Sequence, residues 1–320
     1  MQENKLQIIG ENFNATRRIK ATSKRINVAD SKASLQYQNL SGEDAFLDVS
    51  LVYPDDPKEL RKTQITHIAQ AMKNKDLDYI SWIVKGQEQA GATIIDVCID
   101  EISVDPEERH DWMRWVIPVV QNMTDLTLAI DSSDPKTIEA GLAVYDCDKN
   151  RPAINSVNLE EGRQDLITLA REFNALLFSN ASGRESMPSN AEERLENLKQ
   201  IMAMMDSENI PMKDRYLDPL AFPVGADGAF AQHYLDAVKL VRDEWPEVHI
   251  FGGHSNVSFG LPKRKVINEA FCILSIAAGC DTLMIDPILN NPDIFHNFYL
   301  SNEALMGRDE MCMNYIMANR

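Results

Sequence analysis

"TIIDVCIDEISVDPEERHDWMRWVIPVVQNMTDLTLAID", residues 93–131, is the stretch on which the architecture turns. Thr93–Ile99 is a short apolar run rich in β-branched residues, which reads as a buried strand. Acidic and turn-forming residues follow. Residues 105–120 then place Trp112, Trp115, Val116 and Val119 at i, i+3, i+4 and i+7, which predicts one apolar face of a helix. A second β-rich run, Leu126–Asp131, completes the unit. Strand, helix, strand implies parallel pairing through a right-handed crossover.

The same unit recurs in both directions along the chain. Further strands are expected at 6–10, 152–158, 175–179, 215–219, 248–253 and 282–286, making eight in all. Helices are expected between them. Pro135 follows a Ser/Asp cap, Ser189 and Glu192 suggest a capping box, and Gly279 sits where a helix would end. Eight βα units predict a single domain over 1–320, an α/β fold of the (β/α)8 TIM-barrel type; an open doubly wound sheet is the competitor. Residues 15–75 interrupt the rhythm. They begin basic ("TRRIKATSKR"), turn polar, and finish in a helical stretch near 58–73. We read them as an insertion after the first strand, either a lid or anion-binding edge, or a surface loop or oligomer contact. Residues 290–320 are expected to form a C-terminal helical segment.

Bulk properties narrow the function. The chain has 320 residues, 44% hydrophobic and 25% charged, with a formal net charge of −17. Such a charge repels phosphate backbones and argues against nucleic-acid partners. No apolar run is long enough to span a membrane, and the N-terminus lacks signal-peptide features. The five cysteines are scattered without a C-x-x-C pair, which argues against a thiolate zinc site and for a reduced, cytoplasmic compartment. No metal site is expected.

Barrel chemistry sits at the C-terminal tips of strands. The residues expected there are Glu11, Asn14, Asp96, Asp131, Asn155 and Asp218, with Asn256 in the loop "GGHSNVSFG" (252–260) after the seventh strand. The set is rich in carboxyl and amide groups and poor in nucleophiles. It suits a flat heterocycle whose edge carries both donors and acceptors, such as a pterin. The same residue types are also common turn formers and helix caps.

"AIDSSDPKTIEAGL", "PAINSVNLEEG", "RYLDPL" and "GGHSNVSFGLPKR", in this order and spacing, resemble the methyltetrahydrofolate:corrinoid methyltransferases. This is a pterin-binding family related to the folate domain of cobalamin-dependent methionine synthase. "IIGENFN" and "QAGATIIDV" are similar to its first two strands. The resemblance implies a TIM barrel, commonly a homodimer, with tetrahydrofolate or 5-methyltetrahydrofolate as substrate. It implies that Asp131, Asn155 and Asp218 hold the pterin, and that Asn256 is a mobile residue hydrogen-bonded to N5. Glu11, Asn14 and Asp96 match with less defined roles. It also implies methyl exchange with the cobalt of a corrinoid (cobalamin). The chain lacks a D-x-H-x-x-G motif, so the corrinoid is expected on a separate protein.

Two departures stand out. Where the family has Asp-x-Asn on its second strand, this chain has Asp96–Val97–Cys98, and "SNASGRESMP" after the fifth strand does not align. His254 is a candidate acid by its residue type alone. Two other functions compete. A dihydropteroate synthase would want an S-x-R-P-G-type loop after the second strand and a late basic pair. A non-catalytic folate-binding subunit would bind methyl-folate without transferring the methyl group.

Overall fold

The computed structural model describes residues 6–30 and 32–320. Eight parallel strands form the barrel: β1 (Gln7–Asn14), β7 (Ile94–Cys98), β8 (Thr127–Asp131), β9 (Ala153–Val157), β10 (Leu176–Asn180), β11 (Arg215–Asp218), β12 (His249–Ile250) and β13 (Thr282–Ile285). Their order around the sheet is β12-β11-β10-β9-β8-β7-β1-β13, and a parallel bridge from Gly253 to Met284 brings the two ends together. The expected (β/α)8 architecture is the observed one. The interior is filled by Ile9, Ile94, Ala129, Ala153, Phe178, Tyr216 and Phe251. The small side chains Ala129 of β8 and Ala153 of β9 leave room for the aromatic rings Phe178 of β10, Tyr216 of β11 and Phe251 just after β12.

Helices pack outside: α2 (Leu77–Gln89), α3 (Pro106–Gln121), α4 (Pro135–Leu142), α5 (Asp165–Glu172), α6 (Ala191–Ser207), α7 (Phe230–Glu244), α8 (Arg264–Ala278) and α9 (Pro292–Leu305). Their starts are fixed by local chemistry. Asp76, Asp105, Asp134, Asn190 and Asn291 each accept a backbone N–H of the first turn, satisfying donors that have no helical partner. The cap of α6 is Asn190 rather than Ser189, and Glu193 accepts from the Ser189 amide at 2.7 Å. The buried face of α3 is also turned from the expected one. Met113, Val116, Ile117 and Val120 point inward. Trp112 and Trp115 lie half-buried, edge to face at 5.5 Å.

The first strand runs further than expected, so Glu11, Asn12 and Asn14 lie within it, where its register against β7 shifts between Gly10 and Phe13. After Asn14 the chain forms two small antiparallel sheets, β2 (Arg18–Lys20) with β6 (Gln64–Thr66), and β3 (Ile26–Ala29), β4 (Lys32–Gln38) and β5 (Asp44–Asp48). Helix α1 (His67–Asn74) follows. These sheets are packed into the main core. Leu35, Leu47, Val49 and Ile65 are buried with Ile68 and Met72 of α1, and Tyr37 meets Tyr79 and Trp82 of α2 at 4.8 and 5.0 Å. A final helix, α10 (Met313–Ala318), follows α9.

Candidate active site

A cleft of about 530 Å³ opens over the C-terminal ends of β1, β7, β8 and β13. Five of the residues singled out by sequence line it: Glu11, Asn14, Asp96, Asp131 and Asn256. Asn155 stands one step behind and donates from Nδ2 to Asp96 Oδ1 at 2.9 Å. Asp218, at the tip of β11, is buried beside the loop that carries Asn256.

The carboxyl groups are held in unusual states by burial. Asp96 is buried and close to the Asp131 carboxyl. Loss of water, then the Asp131 charge, pushes its pKa well above the usual range. Asp131 is raised as well, again mainly by burial. Asp96 Oδ2 has no donor to accept from, which is what a protonated Asp96 giving its hydrogen to Asp131 would leave. Asp218 is pushed up to about 7 by burial, against the opposing hydrogen bonds from the Leu220 and Gly253 amides. Glu11 is raised by burial too, opposed by Arg17 and by Ser255 Oγ, which donates to Glu11 Oε2 at 3.1 Å. Arg17 bridges Glu11 and Asp286 across the junction of β1 and β13.

The Gly252–Gly260 loop is built for close packing rather than for an acid. A Cβ on Gly252 would lie 2.5 Å from the Tyr234 hydroxyl, and one on Gly253 would lie 2.9 Å from Asn256 Nδ2. His254 is fully buried, set against Tyr234 and Phe271 with ring centroids 6.0 and 5.6 Å away. Both its ring nitrogens lack partners, and burial pushes its pKa down to about 4. It is a neutral core residue near pH 7, so it is no acid for the cleft. Arg264 ties the loop down. Its Nη2 donates to the Ser255 carbonyl at 2.7 Å and its Nε to Ser258 Oγ at 3.0 Å. Asn256 is left exposed at the mouth.

Sequence reasoning missed several supporting residues. Buried Arg163 donates to the carbonyls of Ser132, Ser133 and Ser156, fixing the tips of β8 and β9. Asn180, in the segment that did not align, donates from Nδ2 to Ser156 Oγ at 2.8 Å. The buried amides Asn268 and Asn290 also line the cleft, each with an Oδ1 that accepts nothing. Asp100, by contrast, is consumed locally by Ser132 and Ser133.

A barrel with a cleft at its strand tips, floored by carboxyl groups and edged by neutral amides, has the make-up of a pterin-binding enzyme. The chain belongs to that family: residues 66–286 match the model of the pterin binding enzymes. Among characterised relatives, the methylcorrinoid:tetrahydrofolate methyltransferase of Eubacterium limosum is 28% identical over 260 residues, covering 79% of this chain and 91% of the relative. Solved structures share the fold. A dihydropteroate synthase of Yersinia pestis, in a sulfonamide drug complex, superposes with a TM-score of 0.60 at 13% identity, covering 96% of both chains. That of Coxiella burnetii, with pteroic acid, gives 0.53 at 14% identity over 69% of this chain and 86% of its own.

Proposed function

We propose that this enzyme is a methyltransferase moving a methyl group between N5 of tetrahydrofolate and the cobalt of a corrinoid carried by a separate protein. The observation that carries the pterin part is the set of carboxyls at the cleft, Asp96 and Asp218 buried and Asp131 half-buried, each raised by loss of water and paired with no cation in an ion pair among the described residues. Such groups are costly alone and are stabilised by a ligand that supplies N–H donors. The 2-amino group and ring N–H of a reduced pterin are donors of that kind. The name of the Eubacterium limosum relative supports the methyl-transfer part.

The roles follow from placement. Asp131, Asn155 and Asp218 would hold the pterin edge, with Asp96 keeping Asn155 and Asp131 in register. Asn256 would hydrogen-bond N5. A tertiary amine leaves readily only when N5 gains a proton or a strong hydrogen bond as the N–C bond breaks. A neutral amide meets N5 in either protonation state without a charge to desolvate. Preorganised hydrogen-bonding groups at such a position are typically worth about 3–4 kcal/mol. The corrinoid supplies the nucleophile or methyl donor, and the share of this chain is positioning and electrostatics.

The homodimer implied by the family would cover apolar surface, and Leu305, Met306, Met311 and Met317 of the C-terminal segment are exposed. Five free cysteines suit a reduced, cytoplasmic setting. The function is tested by mixing the enzyme with 5-methyltetrahydrofolate and a Co(I) corrinoid protein. Loss of the Co(I) absorbance is expected. Binding of methyl-folate with no methylation of cobalt would instead point to a folate-binding subunit.

A further inference from the structure

Cys98 ends β7 level with three residues of the candidate site. The strand register pairs it with Asn14 of β1 on one side and with Asp131 of β8 on the other, and Asp131 pairs in turn with Asn155 of β9. Four neighbouring strands thus carry Asn14, Cys98, Asp131 and Asn155 in one row. Cys98 stands two residues after Asp96, so both side chains leave the same face of β7. That face turns to the cleft, which Asn14, Asp96 and Asp131 line. Cys98 itself is 7% exposed. The row asks for a ligand on independent grounds: Asp96 is 1% exposed, lines the cleft, and its Oδ2 has no partner.

The Cys98 thiol is held from both sides. The Asp100 amide donates to Sγ, and the S–H donates to the Asp131 carboxyl. Burial first, then the charges of Asp131, Asp96 and Asp100, push the thiol pKa well above its ordinary value. Near neutral pH Cys98 is therefore an S–H donor and not a thiolate. Asp100 secures the chain just past Asp131, since its carboxyl accepts from Ser132 Oγ at 2.5 Å and from the Ser133 amide at 2.8 Å. A thiol is a weak donor. It steadies a carboxylate while leaving most of its accepting capacity to a ligand. We propose that Cys98 is a positioning residue for the pterin, its S–H holding the Asp131 carboxylate turned toward the cleft and open to the pterin N–H groups. The inference rests on the pterin reading above. A packing role alone would need only the volume of the sulfur.

Asp131 is raised by burial to about 6, and the S–H bond opposes that rise. Without the donor Asp131 titrates higher, and binding that needs its ionised form is lost at a higher pH. The test measures affinity for 6-methyltetrahydropterin from about pH 5 to about pH 8. Relative to wild type, Cys98→Ala should bind roughly three- to tenfold more weakly at the acid end, with the difference closing at the alkaline end, as for a carboxyl moved by about half a unit to one unit. Cys98→Ser keeps a donor and should restore the wild-type profile. Cys98→Val fills the space without a donor, should behave as Cys98→Ala, and serves if that variant does not fold. In ligand-free protein, the S–H stretching band that Cys98→Ala deletes should shift in Asp131→Asn. A loss in Cys98→Ala that is absent or independent of pH, an equal loss in Cys98→Ser, or an S–H band indifferent to Asp131→Asn overturns the inference. Failure of wild type to bind the pterin while the band still shifts contradicts the pterin reading itself, and the band tells the two failures apart.

Discussion

Asp96, buried inside β7, and half-buried Asp131, at the end of the adjacent β8, stand close together with no ion pair among the described residues, and the Asp131 charge adds to burial in raising the Asp96 pKa. Asp96 is the member whose acid form fits, since its Oδ1 already accepts from Asn155 and its Oδ2 accepts from nothing. An amide at position 96 keeps one acceptor and one donor. Asp96→Asn should therefore bind tetrahydropterin within a few-fold of wild type. Asp131→Asn replaces the anionic acceptor and should weaken binding by roughly 10- to 100-fold, as for a charged hydrogen bond worth about 1.5–3 kcal/mol. Titration calorimetry of the two variants checks the assignment. Equal losses would place the proton elsewhere.

Asp218 has a folded-state pKa of about 7 against a usual value near 4, raised first by burial. The folded apo-protein thus holds a proton that the unfolded chain releases. The stability this contributes is full at low pH and is lost as pH rises from about 4 through about 7. Asp218→Asn removes that dependence. Its melting temperature, relative to wild type, should be higher at pH 8 than at pH 5. Its affinity for the pterin should fall at both. A relative stability independent of pH would show that Asp218 is ionised throughout.

Gly253 leaves room for the Asn256 amide, since a Cβ there would meet Nδ2 at 2.9 Å. Gly253→Ala should move the amide without deleting it. Both Gly253→Ala and Asn256→Ala should lower single-turnover methyl transfer, the second by about 10²-fold, with a modest change in folate affinity. Full transfer rates in Asn256→Ala would remove that residue from the chemistry.

The small sheets after β1 belong to the core, with Leu47 fully buried against α1. Leu47→Ala should cost about 2–4 kcal/mol, read as a lower urea midpoint with unchanged slope. A change below about 0.5 kcal/mol would mean that this segment folds apart from the barrel.

Much of the architecture was legible because each barrel strand is buried on both faces and reads as an apolar run, Ile94–Cys98 being entirely buried. The antiparallel sheet at 26–48 was not, although Ala33, Leu35 and Tyr37 alternate inward in period two. That short, otherwise polar pattern is overshadowed by the charged residues around it. At the site, residue type pointed to the strand tips, where Asp96, Asp131 and Asn155 are brought together. Arg163 was invisible because its work is to bond three carbonyls, two from the loop after β8 and one within β9, which no local spacing encodes. His254 is a candidate acid by type alone, and the sequence left its role open. Only the packing of Tyr234 and Phe271 around it reveals a neutral interior ring.

The central claim, that these strand tips grip a reduced pterin, is tested most directly by a crystal structure with tetrahydrofolate. The account predicts the pterin edge within hydrogen-bonding distance of Asp131, Asn155 and Asp218, with N5 beside the Asn256 amide. A pterin bound away from these strand tips, with the three side chains still bonded only to their own protein neighbours, would contradict it.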